Sequence, residues 1–228
     1  MSHAKISVRI HKPLLDWFRH EVRNLPFGQD ALLDHLIATE TPALADDLKG
    51  LRLSSVAKRY ISGELKRMGP QPVSIYVRTS TQDALKEVVE ATNLVRDAFI
   101  NRLLMLWRGA PPLLEWLGVP QYVEQIDQPK NGIVFRLETA PLAAVRTLLR
   151  DPFLFLREAR LTMDPDAEGL YRFPLPATYA AFNCYMDDWM VPNSKAEKSL
   201  LKELGADPTA LAREEQEIFG ESSKGGVK

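Results

Sequence analysis

Two short runs of this sequence place hydrogen-bonding side chains at every second residue. In the first, Lys5, Ser7, Arg9 and His11 alternate with Ile6, Val8 and Ile10. In the second, Ser74, Tyr76 and Arg78 alternate with Val73, Ile75 and Val77. Residues at this spacing share one face of a β-strand, and the β-branched residues between them share the other. The chemistry open to such a row is recognition of a polar surface. Arg can hold a guanine O6/N7 pair with two parallel hydrogen bonds, and Ser and Lys can donate to base edges. Tyr76 could touch a thymine methyl or a phosphate. A two-stranded ribbon of this kind fits the major groove of a duplex. A solvated strand face alternates in the same way, so the row needs a partner strand and a scaffold.

Catalytic chemistry has little to stand on. The sequence has no Gly-rich phosphate loop, no His-Glu-x-x-His pair and no metal-spaced Cys/His cluster. His3, His11, His20 and His35 are scattered. The acid pairs Asp187–Asp188 and Asp164/Asp166 are of the kind that turns and helix faces leave in solvent. We therefore read a chain that is not an enzyme, with no catalytic residue, cofactor or metal site. Trp107, Trp116 and Trp189 read as core or interface residues.

Each polar row is followed by helix signals. After the second row, Thr79 and Ser80 can cap, with Gln82 and Asp83 three residues on. Leu85, Val88, Val89 and Thr92 then recur at helical spacing. Asn93 tolerates a left-handed backbone and suits a stop. Leu94–Trp107 is a second, more apolar helical run, closed by Gly109. After the first row, Pro13 suits a first helical turn, and Leu14, Leu15, Phe18 and Val22 form an apolar face. Residues 24–28 break that helix. Asp30 can cap the next, whose face is Leu32, Leu33, Leu36 and Ile37 and which Pro42 should end early.

These two strand–helix–helix units are copies. Sliding the sequence by 67 positions lays Ile6–Ile37 on Val73–Leu104 without a gap, with identities at Ser7/Ser74, Asp16/Asp83, Val22/Val89, Asp30/Asp97, Ala31/Ala98 and Leu36/Leu103. One offset kept through three elements marks an internal repeat. A lone strand with one buried face must pair, and the other copy supplies the partner. The linker of about 30 residues between the copies could reach roughly 100 Å if extended, so pairing within one chain is easy. Within it, 53–68 reads helical, with Arg52, Lys58, Arg59, Lys66 and Arg67 as a basic cluster suited to phosphates or to plain solvent.

The segments KISVRI and PVSIYVR, with GQDALLDHLI and VRDAFINRLL as second helices, resemble the ribbon-helix-helix DNA-binding proteins, the class of the Arc and Met repressors. The resemblance covers about residues 5–41 and 72–109. It implies a tandem ribbon-helix-helix, an intrachain pseudo-dimer, in a fold that is mostly α with short β. It implies base contacts from Lys5, Ser7, Arg9, His11, Ser74, Tyr76 and Arg78. It also implies phosphate contacts from the free amides opening each second helix, near Gly28-Gln29 and Val95-Arg96, to which the basic linker adds Lys58 and Arg59. Asp30 and Asp97 bring the wrong charge to those helix starts. The two rows differ, so the site read should be asymmetric or an imperfect palindrome.

Composition agrees with a globular chain of two modest domains. Apolar content is 45% and charged content 26% of 228 residues. Residues 1–109 hold 16 Lys and Arg against 12 Asp and Glu, a net of +4, while the remainder holds 13 against 18, a net of −5. The basic half is the half with the repeats, as duplex binding requires. A single cysteine, Cys184, fits a reducing, cytoplasmic setting. No apolar run approaches a membrane span.

The expected division is 1–110 as the tandem unit, 111–220 as a small α+β domain and 221–228 as a tail. In the second domain, 112–118, 140–150, 177–190, 196–204 and 208–219 read helical, 132–138 strand-like, and 155–163 with 169–174 as a hairpin. Three functions follow as expectations. The first is site-specific regulation of transcription, or DNA handling on a bacterial mobile element, with double-stranded DNA as partner. The second is an antitoxin-like or adaptor protein that docks a partner protein through 111–220. The third is a scaffold subunit whose ribbons serve only assembly into homo-oligomers.

Overall fold

The computed structural model describes residues 2–23, 28–109, 113, 150–154, 156–157 and 168–205. The expectations for 112–118, 132–138, 140–150, 208–219 and 221–228 fall wholly or almost wholly outside these residues, as does most of 155–163. The described chain is mostly helical with one small antiparallel sheet of two strands. In order come β1 (His3–His11), α1 (Lys12–Val22), α2 (Gln29–Asp47), α3 (Ser55–Arg67), β2 (Pro70–Arg78), α4 (Thr79–Thr92), α5 (Arg96–Arg108) and α6 (Lys195–Glu203).

β1 and β2 pair with each other, with Ile6 opposite Ile75, Ser7 opposite Ser74 and Val8 opposite Val73. This register carries the repeat. The 67-residue offset makes Ser74 the counterpart of Ser7, and those two residues face each other across the ribbon. A pseudo-two-fold axis therefore passes through the Ser7–Ser74 pair. Ile6, Val8, Ile10, Val73, Ile75 and Val77 all turn inward and are buried.

The helices interlock across that axis. α2 packs on β2 and α4 of the other copy, while α5 packs on β1 and α1. Neither copy could close its core alone. The four inward residues of α2, Leu32, Leu33, Leu36 and Ile37, match Phe99, Ile100, Leu103 and Leu104 of α5, and all eight are buried. Burying each contributes about 1.5–3 kcal/mol. Trp107 closes one end, edge-on to Phe18 at 5.2 Å and to Trp17 at 5.6 Å, contacts that add about 0.5–1.5 kcal/mol each beyond burial. Asn93 (φ 58°) and Gly109 (φ 56°) end α4 and α5 in the left-handed conformation, as their residue types suggest.

Four local expectations need correction. Pro42 does not end α2, which runs on to Asp47 and is longer than α5, not shorter. Its ring is exposed, and continuing the helix buries Thr41, Leu44 and Leu48. Two buried leucines, at about 1.5–3 kcal/mol each, offset a proline cost of about 3 kcal/mol. Thr79 and Ser80 form no capping box, because β2 runs straight into α4 with Arg78 as N-cap. Asp30 is not the cap of α2 either; Gly28 is, and Asp30 lies in the first turn. Residues 177–190 form not one helix but two short 3-10 turns, Ala177–Phe182 and Asp188–Met190. Consecutive residues Ala180 to Cys184 are all buried there, which a one-faced α-helix cannot provide.

Residues 169–174 form a turn rather than a hairpin strand, and the described residues after 109 contain no strand. They share the core of the repeats: Phe153, Leu156, Leu170, Tyr171, Phe182 and Cys184 belong to the same buried cluster as Leu36 and Leu103. Polar ties reinforce the join. Arg102, fully buried, donates to the carbonyls of Leu170 (2.8 Å) and Phe173 and to Asn183 Oδ1 (3.4 Å). Glu40 accepts from the Tyr171 hydroxyl and the Arg157 guanidinium. Asp47 Oδ2 accepts from the Tyr171 amide at 2.9 Å. Burial pushes both carboxyls up, against the pull of Arg157 on Glu40 and of the Tyr171 amide on Asp47.

Candidate nucleic-acid interface

Because the side-chain period is two, the inward set dictates the outward one. The outer face of the ribbon presents three central pairs: Lys5 opposite Tyr76, Ser7 opposite Ser74 and Arg9 opposite Pro72. All six are exposed. Tyr76 is 52% exposed, so most of its ring is open to a partner. Among the described residues the Arg9 guanidinium and the Lys5 ammonium make no hydrogen bond or ion pair.

The last residue of each strand is held differently. The Arg78 amide donates to Asp34 Oδ1 at 2.8 Å, and its guanidinium Nε to Asp34 Oδ2 at 2.6 Å. The His11 amide donates to Asn101 Oδ1 at 2.8 Å, and its ring nitrogen lies 3.2 Å from the Met68 carbonyl. Asp34 and Asn101 are counterparts under the 67-residue offset, as are Arg78 and His11. The second helix of each copy thus clamps the strand end of the other. Sequence reading missed this pair. Its signal was present: a short Asp or Asn in the same place on two otherwise apolar helix faces. Arg78 and His11 are only half-exposed and already have partners.

Two helix starts flank the ribbon. α2 begins after Gly28 and α5 after Val95, which are again counterparts, and neither cap uses a side chain. First-turn amides left without intrahelical partners, with the positive end of the helix dipole, suit an anion. The charge of Asp97 is matched: Oδ2 accepts the Arg9 amide at 3.2 Å, and Oδ1 accepts Arg96 Nε at 3.1 Å and Nη2 at 2.9 Å. Arg96 also donates to the Ser7 carbonyl, which anchors it beside the centre of the ribbon. Asn101 Nδ2 donates to the Arg9 carbonyl at 2.8 Å, so three residues of α5 make four hydrogen bonds to β1. Gln29 takes the place of Arg96 at the start of α2.

The basic cluster is spread over several tasks. Arg52 donates to the carbonyls of Glu90 (3.1 Å) and Ala91 (2.8 Å), where its charge suits the C-terminal end of α4. Lys58 Nζ donates to Asn93 Oδ1 at 2.7 Å, Arg59 is exposed on α3, and Arg67 pairs with Glu64. Lys58, Lys86 and Arg96 line one cleft of about 420 Å³ beside the ribbon. Among the described residues no cluster of three or more His, Cys, Asp or Glu is arranged to hold a metal ion. No described helix is long and apolar enough to cross a membrane.

No family model, curated protein or solved structure matches this chain.

Proposed function

We propose that this chain is a tandem ribbon-helix-helix protein that binds double-stranded DNA at chosen sites, with the ribbon in the major groove. One observation carries the reading. A single antiparallel ribbon with its pseudo-two-fold axis at Ser7–Ser74 turns one polar row outward, Lys5, Ser7, Arg9, Ser74 and Tyr76, between two helix starts without side-chain caps. A ribbon fits the groove, Arg9 has the donor geometry for guanine, and the helix starts suit the flanking phosphates. Lys58 adds charge on that side, in the cleft it shares with Arg96. The net charge of +4 in residues 1–109 favours the duplex. The biological role that fits is transcriptional regulation, or DNA handling on a bacterial mobile element. The described residues after 109 brace the scaffold from behind and leave the ribbon row clear.

The test is protection mapping of the full chain on the DNA upstream of its own gene and on a random duplex, over a salt series. A discrete protected site whose affinity falls steeply with salt is expected. Equal binding to all sequences, or none, overturns the reading.

A further inference from the structure

The pseudo-two-fold axis makes the two ends of the ribbon comparable residue by residue, and they are not alike. It exchanges Lys5 with Pro72 and Arg9 with Tyr76, since each pair is separated by the repeat offset. At one end the outer face therefore carries Lys5 beside Tyr76. At the other it carries Arg9 beside Pro72, which has no polar side chain to offer.

The flanks differ in the same sense. α5 starts along β1 between Ser7 and Arg9, where Arg96 reaches the Ser7 carbonyl and Asp97 the Arg9 amide. The corresponding start, of α2 beside β2, carries Gln29. The α5 side also has Lys58, contributed by the connecting helix α3 to the cleft it shares with Arg96. A connection between copies occurs once, so Lys58 has no counterpart. Arg96 is paired with Asp97 much as Arg78 is with Asp34, so what sets the ends apart is the unpaired Arg9 guanidinium and the Lys58 charge, both at one end. The other end offers the Lys5 ammonium, the Tyr76 phenol, the Gln29 amide and the exposed His3 imidazole, and, among the described strand residues there, no unpaired guanidinium.

Resting on the DNA-binding reading above, we propose that the chain reads a directional site. A strong half-site, with a guanine under Arg9 and a phosphate held by Lys58, abuts a weak half-site under Lys5 and Tyr76. Binding in one orientation follows, because turning the molecule end for end puts Tyr76 where the guanine sits. A bidentate Arg–guanine pair discriminates by about tenfold or more, which is enough to set orientation.

Selection of sites from a random duplex pool by the full chain tests this, with each selected site then footprinted. The expected consensus has one well-defined half and one degenerate half, and Arg9→Tyr should lose about tenfold or more on it. The double variant Gln29→Arg with Tyr76→Arg gives both ends an Arg reader and an Arg at the helix start, with Lys58 the one charge left unmatched. Its consensus should become palindromic, because Lys58 at a phosphate carries no base preference. Both altered residues lie outside the buried core, and a melt checks that the variant folds. Arg9→Tyr alone, which makes the two ends alike in the other direction, tests the same point should the double variant unfold. A palindromic consensus for the unaltered chain, or one unmoved by either variant, overturns the directional reading and leaves DNA binding intact. Failure to enrich any sequence overturns DNA reading itself.

Discussion

Copy one (β1, α1, α2) and copy two (β2, α4, α5) bury the same four positions of their second helices and clamp each other's strand ends with Asp34 and Asn101. They part beyond that frame. α2 continues past Pro42 and meets Arg157 and Tyr171 with Glu40 and Asp47. α5 stops at Gly109 and meets the same region with the buried Arg102, where copy one has His35. On the outer face the axis exchanges Arg9 with Tyr76 and Lys5 with Pro72. What the copies share is what closing a ribbon demands of both. What they do not share lies where one chain, unlike a true dimer, can specialise each half.

The largest effects should come from the shared frame. Leu36→Ala and Leu103→Ala occupy equivalent, fully buried positions, and each should cost about 2–5 kcal/mol in chemical denaturation. Ile75→Ala, under the ribbon, belongs in the same range. A melt indifferent to Ile75→Ala would reverse the inward and outward faces together. A near-zero cost at only one of the two leucines would mean that the copies do not share a core.

Next come the clamps. Asn101→Ala leaves the His11 amide and the Arg9 carbonyl without their partner and should cost about 1–3 kcal/mol. Asp34→Ala also unpairs Arg78, whose guanidinium is partly solvated, and should cost at least as much. Asp34→Asn should recover most of the loss, because it keeps an acceptor for the Arg78 amide. Stability measurements that rank Asp34→Asn as the worst of the three would show that the ion pair, not the amide bond, matters.

Smaller still is Lys58→Ala. It should weaken binding to every duplex alike and flatten the salt slope by about 0.9 for each phosphate no longer neutralised. A change in sequence preference instead would move Lys58 from the phosphates to the bases. The least visible prediction concerns Cys184. Burial pushes its thiol up to about 12, so at pH 8 it should resist a thiol reagent in the folded chain and react on unfolding. Fast native labelling would show that the packing behind α5 is loose.

Much of the frame was legible because its causes are local. Period-two alternation marks the strands, a constant offset marks the copies, and Asn93 and Gly109 mark left-handed stops. The need of each strand for a partner was legible, and the linker length made pairing within the chain easy without requiring it. Pro42 misled because its cost is local while the compensating burial of Leu44 and Leu48 depends on α4 lying across the way. The expected caps failed because β2 turns into α4 without a loop. Of the candidate base-contacting residues, Lys5, Ser7, Arg9, Ser74 and Tyr76 are open on the outer face, as alternation requires. His11 and Arg78 fit the same alternation, yet Met68, Asn101 and Asp34 engage them, and these contacts reach across 44 to 90 residues of chain. Residues 177–190 look helical in composition, but consecutive residues are buried against α3 and α5, and the segment forms 3-10 turns.

The central claim is that the outer row of the ribbon reads DNA, with Arg9 as its strongest reader. Affinity of the full chain, of Arg9→Ala and of Arg78→Ala for a selected site and for a random duplex tests it directly, with a melt for each. Arg9→Ala should lose about 1–3 kcal/mol on the selected site, relax choice at one base position and leave the melt unchanged. Arg78→Ala should act mainly on the melt, through Asp34. If Arg9→Ala keeps both the affinity and the site preference of the unaltered chain, the ribbon is not a reading head, and the chain is a scaffold built on the same frame.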